Sequence, residues 1–416
     1  MGARGGLYRK LAMPQDLHDE LRTFSAFGKE TVVSEFTHEG VTIPVYVNEY
    51  WTSKQRAASS LQEISYRACY KPQLPRFFIT RLTSPGEVVY DPFMGRGTTP
   101  LEAGLLGRIP YGCDINPISK VFLRPRLNPP TVAQVEERLA QIPDWTELPG
   151  RLDELLTFYH SETLRRIQAL KEHLQQGELD LVDDWIQMVA TNRLTGHSGG
   201  FFSVYTLPPN QATSVLAQRK INEKRGQRPP NRAIKPIIFK KTRTLLNRVD
   251  PEELAQLRSV ASQALLLTGS ADHTPEIPDE SVSLIVTSPP FLDMIDYRTD
   301  NWLRCWFNAL DVNDIALWQI RQHDEWMEAM ESVFHELSRV LKPGGYVAFE
   351  VGDVRNGKVL MEQLVVPVAL RAGLVPELIV INAQKFTKTA NCWGVANDAM
   401  GTNTNRIIVL RKQCSA

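Results

Sequence analysis

The feature that most constrains the fold is the run "VVYDPFMGRGTTPLEAGLLGRIPYGCD" at residues 88–114. A short apolar strand pattern at 87–90 leads into a glycine-rich turn, a helix at about 98–106 and a second strand pattern at 110–113. Two strands joined by a crossover helix form a βαβ unit, in which the strands are parallel. The sequence therefore predicts an α/β fold with a doubly wound, mostly parallel, Rossmann-like sheet.

The same alternation of strands and helices returns near residue 262. "ALLLTGS", "VSLIVTS" and "YVAFEVGD" predict strands, 324–341 predicts a helix, and "LVPELIVIN" with "NRIIVLRK" predicts a closing antiparallel strand pair. The sheet is thus interrupted between its second and third strands by an insertion. In the insertion, 131–190 has helical periodicity, and the Pro- and Gly-rich stretch 194–240 predicts loops and short strands. The predicted domains are an N-terminal extension, a first sheet part, a helical and basic insertion and a second sheet part, at 1–60, 61–125, 126–260 and 261–416.

Composition narrows the cellular context. The chain has 416 residues, a formal net charge of zero and five scattered cysteines without zinc-ligand spacing. No apolar run approaches the roughly 18 residues that cross a bilayer, and the start "MGARGGLYRK" lacks the apolar core of a secretory signal. We therefore expect a cytoplasmic protein with reduced thiols, no membrane contact and no metal.

The glycine-rich turn predicts a ligand site. Gly95 and Gly97 allow a tight turn and close approach of the backbone to a ligand, and Thr98 and Thr99 open the following helix. A turn of this kind can also serve helix packing alone. Because the pattern G-x-G-x-x-G is absent, one nucleoside-like ligand is a better match than a dinucleotide.

Polar residues at two other strand ends fit a nucleoside. Asp114 ends the second strand, 23 residues after Asp91, where a carboxylate accepts hydrogen bonds from ribose hydroxyls. Ser270 and Asp272 follow the third strand and are predicted to lie near the adenine. The alternative for Asp114 is an exposed strand-end carboxylate, and for Ser270 and Asp272 it is an ordinary helix cap.

The strand "VSLIVTS" ends in the rigid tip Ser288-Pro289-Pro290-Phe291. Proline fixes φ and donates no backbone hydrogen bond, and the residue before it is pushed to extended geometry. Two carbonyls and the Ser288 hydroxyl can then accept both hydrogens of an exocyclic amine and direct its lone pair at an electrophile. Phe291 can stack on the ring that carries the amine. The alternative is a loop that proline merely stiffens.

Together, "DPFMGRGTT", "CDINP", "TSPPF" and the upstream "ISYRACYKPQLPRFFI" resemble the motifs of S-adenosylmethionine-dependent DNA amino-methyltransferases. The similarity covers about 60–125 and 262–412, and 197–248 resembles the middle region of some site-specific DNA methylases. The resemblance implies transfer of a methyl group from S-adenosyl-L-methionine to the amine of a flipped base in double-stranded DNA, in a bacterial or phage cytosol. A cognate restriction endonuclease is a further expected partner.

The resemblance also implies roles for individual residues. The amine is bound by Ser288, Pro289 and Pro290, with Phe291 stacking. The cofactor is held by Lys71, Pro72, Asp91, Pro92, Phe93, Gly95, Gly97, Thr98, Thr99, Asp114, Ile115, Asn116, Ser270, Asp272 and Thr287.

The type of base is suggested by the residue before the prolines. Serine in that place resembles the cytosine-N4 branch, whereas adenine-N6 enzymes more often have Asp or Asn. Carbon-5 cytosine methylation needs a cysteine nucleophile, and no Pro-Cys dipeptide is present. Cytosine N4 is therefore the predicted position. Adenine N6, an RNA amine and a non-catalytic DNA-binding regulator are the alternatives.

The insertion carries the charge expected of a DNA-binding surface. Residues 219–248 contain eleven Lys or Arg and one acidic residue, a local net charge of +10 in a chain whose total is zero. A charge run is often only a solvated face, but here aromatic, Asn and Gln residues lie beside it, and cations contact phosphates while such polar side chains read bases. The predicted DNA contacts are Lys220, Lys224, Arg225, Arg228 and Arg232.

Overall fold

The computed structural model describes residues 14–52, 58–67, 69–150, 152–207, 213–290, 296–318, 320, 322–351, 360–387 and 400–414. One sheet organises these residues. In chain order its strands are β1 (Val32–His38), β2 (Val41–Asn48), β3 (Val88–Asp91), β4 (Ile109–Asp114), β5 (Leu265–Thr268), β6 (Val282–Thr287), β7 (Leu341–Val351), β8 (Leu374–Thr387) and β9 (Met400–Lys412).

The spatial order of the sheet is β1-β2-β8-β9-β7-β6-β3-β4-β5. The pairs from β7 through β6, β3 and β4 to β5 are parallel, and β9 pairs antiparallel with both β7 and β8. The predicted doubly wound, mostly parallel sheet with a closing antiparallel pair is therefore confirmed. Successive connections leave β3 in one direction toward β4 and return to its other side at β6. The boundary between β3 and β6 is thus the switch point, where ligands bind in such sheets.

Thirteen helices surround the sheet in the described part of the chain. They are α1 (Pro14–Thr23), α2 (Gln73–Leu82), α3 (Thr98–Leu105), α4 (Ile118–Leu127), α5 (Val132–Gln141), α6 (Ser161–Leu174), α7 (Leu181–Arg193), α8 (Val215–Arg225), α9 (Ile234–Leu246), α10 (Pro251–Val260), α11 (Tyr297–Phe307), α12 (His323–Val340) and α13 (Glu362–Arg371). Among the residues described, no helix is both long and apolar enough to cross a membrane.

Alternation along the strands divides the core between the two faces of the sheet. In β6, Leu284 and Val286 pack with α1 and α2, whereas Ile285 faces the opposite side with α12 and α13. All three side chains are fully buried. Central parallel strands that are covered on both faces favour apolar residues on successive positions, which explains the continuous apolar run at 284–286.

The insertion between β4 and β5 is helical and packs on the sheet domain. The fully buried Trp185 of α7 belongs to the same apolar cluster as Leu101 of α3 and Phe122 of α4. The two parts approach closely at Gly104 in α3, where an added Cβ would lie 2.5 Å from Leu257 Cδ1 of α10. The insertion and the first sheet helices therefore share one core.

The interpretation of 194–240 as loops and short strands is wrong for much of its length. Residues 215–225 and 234–246 form α8 and α9. Ser214 caps α8 by accepting from Ala217 N, and Gly226 ends it with φ +56°. These capping signals are hidden in the sequence by the density of basic, Pro and Gly residues around them. The predicted domain boundaries stay a prediction.

Candidate functional site

A buried carboxylate lies at the switch point between β3 and β6. Asp91 ends β3 and Thr287 ends β6, and Thr287 Oγ1 donates to Asp91 Oδ1 at 2.6 Å. The other carboxylate oxygen accepts from the Tyr70 hydroxyl at 2.8 Å, and Phe93 N donates to Oδ1 at 3.1 Å. Burial raises the pKa of Asp91 to about 6, against the lowering effect of these hydrogen bonds. Groups of the protein thus donate hydrogen bonds to both carboxylate oxygens of Asp91.

Tyr70 connects the ends of β3 and β6 to the first turn of α3. Its hydroxyl lies 2.5 Å from Thr99 Oγ1, and Thr99 Oγ1 donates to the carbonyl of Val286 at 3.0 Å. Burial raises the pKa of Tyr70 well above its usual value, so it stays a neutral donor. The ends of β3 and β6 and the start of α3 are therefore fixed to one another by side chains.

The two glycines of the turn have different roles. Gly95 has φ +49° and faces Tyr66 and Cys69 across 3.6–3.7 Å from the position of its missing Cβ. Gly97 has φ +77°, and an added Cβ would lie 2.7 Å from Leu123 of α4. Gly95 thus faces an open cavity, which it lines, whereas Gly97 permits helix packing. Gly95 thus fits the ligand interpretation of the turn, and Gly97 fits the packing interpretation.

Asp114, at the end of β4, is open on one side. Its Oδ2 accepts from Gly95 N and its Oδ1 from Asn116 N, each at 2.8 Å. A carboxylate can accept about four hydrogen bonds, so acceptor capacity remains on the cavity side. Burial raises the pKa of Asp114, and the two backbone amides oppose that rise.

Ser270 and Asp272, which follow β5, are separated by the fold. Gly269 and Ser270 line the cavity, and no atom lies within 4 Å of the position of a Cβ at Gly269. Asp272 is exposed and does not line it. Of the two residues, the structure brings Ser270 to the cavity and leaves Asp272 away from it.

The tip after β6 reaches the same cavity. Ser288, Pro289 and Pro290 all line it, next to the turn that carries Gly95. Phe291, predicted to stack on the base, lies outside the described residues. The backbone that precedes the tip is anchored by Thr287 on Asp91, so the tip is held at a fixed position relative to β3.

These parts enclose one cavity of about 900 Å³, its open mouth included. Of the predicted cofactor residues, Pro92, Phe93, Gly95, Thr98, Asp114, Ile115, Asn116 and Ser270 line it. Lys71 and Pro72 do not. Pro72 instead precedes the first turn of α2.

Several lining residues are absent from the sequence-based prediction. The segment 66–70 contributes Tyr66, Arg67, Cys69 and Tyr70, although the predicted cofactor residues of that motif are only the next two. Tyr297 at the start of α11, with Leu317 and Trp318 after it, forms another wall. The Trp318 and Phe93 rings meet at 5.8 Å and 65°. The aromatic content of "ISYRACY" was the available signal for the first group. Nothing local indicates that Trp318 would reach the site.

The donor set fits S-adenosylmethionine in chemical terms. The half-open carboxylate of Asp114 suits ribose hydroxyls, and the aromatic rings and the Gly269 floor suit an adenine. A backbone turn with a left-handed Gly95 permits close approach of the amino acid part. In the described part of the chain no three His, Cys, Asp or Glu side chains converge as in a metal centre.

The predicted DNA contacts lie on the insertion. Lys220, Lys224 and Arg225 are exposed on α8, and Arg228 is exposed just after it. The Arg225 guanidinium lies 3.8 Å from the centroid of the Tyr205 ring. Arg232 differs, because it is half-buried and its backbone N donates to Thr163 Oγ1. The structure thus brings four of the five cations to solvent on one helix and the turn after it.

A family model described as DNA methylase matches residues 29–120 and 282–414, more than half of the chain. The Type II methyltransferase M.BsoBI of Geobacillus stearothermophilus is 24% identical over 296 residues, 62% of this chain and 54% of that protein. M.MvaI of Kocuria varians is 25% identical over 249 residues, with 55% and 52% covered. The chain thus spans about half the length of these two relatives.

Among solved structures, a TehB-like SAM-dependent methyltransferase from Corynebacterium glutamicum matches with 11% identity and a TM-score of 0.30, covering 82% of this chain and 87% of that one.

Proposed function

This chain belongs to the DNA methylase family, and on that premise we propose that it methylates an exocyclic amine of double-stranded DNA, at N4 of cytosine. Membership in the predicted family of amino-methyltransferases is confirmed, and so is S-adenosylmethionine as the cofactor. The base and the DNA contacts are proposals.

One observation carries the proposal. Ser288 and the two prolines after it line the same cavity as Gly95 and Asp114, although the motifs lie more than 170 residues apart in sequence. An amine held at the tip would therefore sit in the same enclosed space as a nucleoside held at the turn. Such proximity is what a direct group transfer requires.

S-adenosylmethionine supplies a methyl group bonded to a positively charged sulfur. The chain's own part is to orient the amine and exclude water. We propose that the Ser288 hydroxyl and a tip carbonyl accept the two amine hydrogens, so that the nitrogen lone pair is directed into the cavity. On transfer the bond from nitrogen to the methyl carbon would form as the carbon–sulfur bond breaks, the bonding electron pair would stay on sulfur as a neutral thioether, and the nitrogen would release one proton to water at the cavity mouth. Holding the amine in one orientation removes much of the entropic barrier.

Cytosine N4 is favoured by the residue at position 288. A hydroxyl is a weaker acceptor than the Asp or Asn of the adenine branch, and serine before two prolines resembles the cytosine-N4 enzymes. A base inside a duplex cannot reach an enclosed cavity, so the target must be flipped out. Exposed cations at Lys220, Lys224 and Arg228 support binding of the flanking phosphates. A bacterial or phage cytosol and a cognate endonuclease complete the proposal.

The test is single-turnover methyl transfer from tritiated cofactor to duplex DNA, with the product nucleoside identified by mass spectrometry. The expected product is N4-methylcytosine. N6-methyladenine would contradict the base and leave the chemistry intact, whereas labelled RNA with unlabelled DNA would contradict the substrate.

Ser288→Ala is the matched variant for the tip. We expect the transfer rate to fall about tenfold or more, because one acceptor that orients the amine is lost. Cofactor affinity should stay near that of the wild type, since the hydroxyl faces the amine. A wild-type transfer rate in this variant would refute the role of the hydroxyl.

A further inference from the structure

The short segment that leads into the cavity wall at Tyr66 has an unusual set of hydrogen bonds. From Leu61 to Ser65, each successive backbone carbonyl accepts from a side chain of another element. The donors are, in order, Arg126 Nη1 to Leu61 at 3.1 Å, Arg96 Nη1 to Gln62 at 3.2 Å, Lys241 Nζ to Glu63 at 2.6 Å, Arg96 Nη1 to Ile64 at 2.6 Å and Asn192 Nδ2 to Ser65 at 3.0 Å.

Most of these donors are cations withdrawn from water. Arg126 is fully buried, Arg96 is 5% exposed and Asn192 is 4% exposed. Burial lowers the pKa of Lys241 to about 8. Withdrawing a charge costs free energy, and hydrogen bonds to charged donors offset that cost. Four cationic contacts on one short stretch of backbone therefore indicate that its position matters.

The position matters because this segment continues directly into the cavity. The next residues, Tyr66, Arg67, Cys69 and Tyr70, form a wall of the cavity. Asn116 Nδ2 donates to the Tyr66 hydroxyl at 3.3 Å, and Tyr70 bonds to Asp91. A shift of the carbonyl-bonded stretch would therefore move this wall relative to the ends of β3 and β4.

Two of the four donor residues lie on helices that fall wholly within the insertion at 126–260. Asn192 lies on α7 and Lys241 on α9. The insertion holds the segment at two further points. Ser60 Oγ donates to the carbonyl of Leu245 in α9 at 2.6 Å, and Arg248, just after the end of α9, pairs with the Glu63 carboxylate at 3.0 Å. The insertion thus contacts the segment at Ser60, Glu63 and Ser65.

We propose that Asn192 and Lys241 are positioning residues, through which the inserted region sets the affinity of the cavity for S-adenosylmethionine. This inference rests on the proposed function, because it takes the cavity to be the cofactor site. The insertion accordingly has two tasks on two surfaces. The exposed cations of α8 face solvent for DNA, and the inner sides of α7 and α9 hold the wall against which the cofactor binds.

The variants are Lys241→Met, which keeps the length of the side chain and removes the donor, and Asn192→Asp. The second keeps the oxygen that accepts from Arg193, replaces the nitrogen that donates to Ser65 with an oxygen that cannot donate, and adds a negative charge beside the Arg193 guanidinium. Lys240→Met, at an exposed site on the same helix, is the matched control. Lys241→Arg restores a cationic donor and tests rescue.

The measurement is calorimetric binding of S-adenosylmethionine to the full chain without DNA. We expect the Kd to rise about tenfold in Lys241→Met and several-fold in Asn192→Asp, the size expected from losing one such bond. Lys240→Met should equal the wild type, and Lys241→Arg should lie between. At saturating cofactor the single-turnover rate should approach the wild-type rate, and affinity for unmethylated duplex should not change.

Wild-type Kd values in both Lys241→Met and Asn192→Asp would overturn the inference. If Lys241→Met melts below the assay temperature, Asn192→Asp and the rescue by Lys241→Arg decide in its place. Equal loss of DNA affinity and cofactor affinity would also contradict it, since that indicates general damage. Absence of cofactor binding or DNA methylation in the wild type would instead refute the proposed function.

Discussion

Two aspartates end neighbouring, paired strands of the sheet and yet have different surroundings. Asp91 of β3 is 1% exposed and accepts from Thr287, Tyr70 and the amide of Phe93. Asp114 of β4 lines the cavity and accepts from the backbone amides of Gly95 and Asn116. In sequence both are an acid at the carboxyl end of a short apolar strand.

The comparison separates two uses of the same residue type. Asp91 has side-chain donors on both oxygens and holds two strand ends together, so its loss should mainly affect folding. Asp114 has its donors on the turn backbone and acceptor capacity left toward the cavity, so its loss should mainly affect binding. The number and origin of the donors distinguish the two, and neither can be read from position along the strand.

The largest effect is expected for Asp91→Ala. The hydroxyls of Tyr70 and Thr287 would lose their charged acceptor in a buried place, and the free energy of unfolding should fall by about 2–4 kcal/mol. Denaturant titration measures the change. Asp272→Ala, at an exposed acid, should have no effect. Equal stability of Asp91→Ala and wild type would mean that the hydrogen bonds to Asp91 do not hold the ends of β3 and β6 together.

Asp114→Ala should show the opposite pattern. Cofactor affinity should fall by about 1.5–3 kcal/mol, because a charged acceptor for the ribose is lost. The melting temperature should drop less than in Asp91→Ala. Calorimetry with S-adenosylmethionine reads the first quantity and thermal denaturation the second. An unchanged Kd would remove Asp114 from the cofactor site.

Thr287→Val sharpens the comparison at the donor side. The change keeps the shape and removes the hydroxyl that donates to Asp91, so stability should fall by about 1 kcal/mol. Cofactor affinity should be unaffected, because Thr287 does not line the cavity. Thr268→Val, at the exposed end of β5, serves as control. A cofactor Kd that rises more than stability falls would place Thr287 in the site after all.

The smallest effect is a pH dependence. The pKa of Asp91 is raised from 3.8 to about 6. A carboxyl with a higher pKa in the folded chain favours folding at pH below both values, and this advantage is lost as pH rises through about 6. Asp91→Asn is neutral throughout. Its deficit in melting temperature relative to wild type should therefore be largest near pH 4 and shrink toward pH 8. A deficit that grows with pH would contradict the sign.

The strand ends were the part that sequence could predict. Short apolar runs before Asp91, Asp114 and Thr287 define strand ends locally, and carboxyl ends of parallel strands meet at one edge of the sheet. That rule was enough to bring Ser288 and Gly95 to one cavity. It could not assign the two aspartates, because the donors to Asp91 come from 21 residues before it and 196 residues after it in sequence.

The features that the sequence did not predict depend on long-range packing. Trp318 lines the cavity because the chain that follows α11 passes beside Phe93. No local sequence pattern indicates this contact. The helices α8 and α9 were missed because their basic residues hid the buried positions Gln218, Ile238 and Thr242, which face the rest of the insertion. Propensity is a weak guide where tertiary contacts decide.

The contact between Gly104 and Leu257 bears on how such chains can exchange parts in evolution. The inserted region is an extended crossover between β4 and β5, which suggests a unit that could be exchanged between relatives. Yet a Cβ at position 104 would lie 2.5 Å from Leu257 Cδ1, so a larger residue there requires the Leu257 side chain to shift. A recombination event that replaced 126–260 alone would pair helix α3, whose surface fits Leu257, with an unrelated side chain at that position. Viable exchanges should therefore carry α3 with the insertion, and chimaeric boundaries should fall before residue 98 instead of at the start of the insertion.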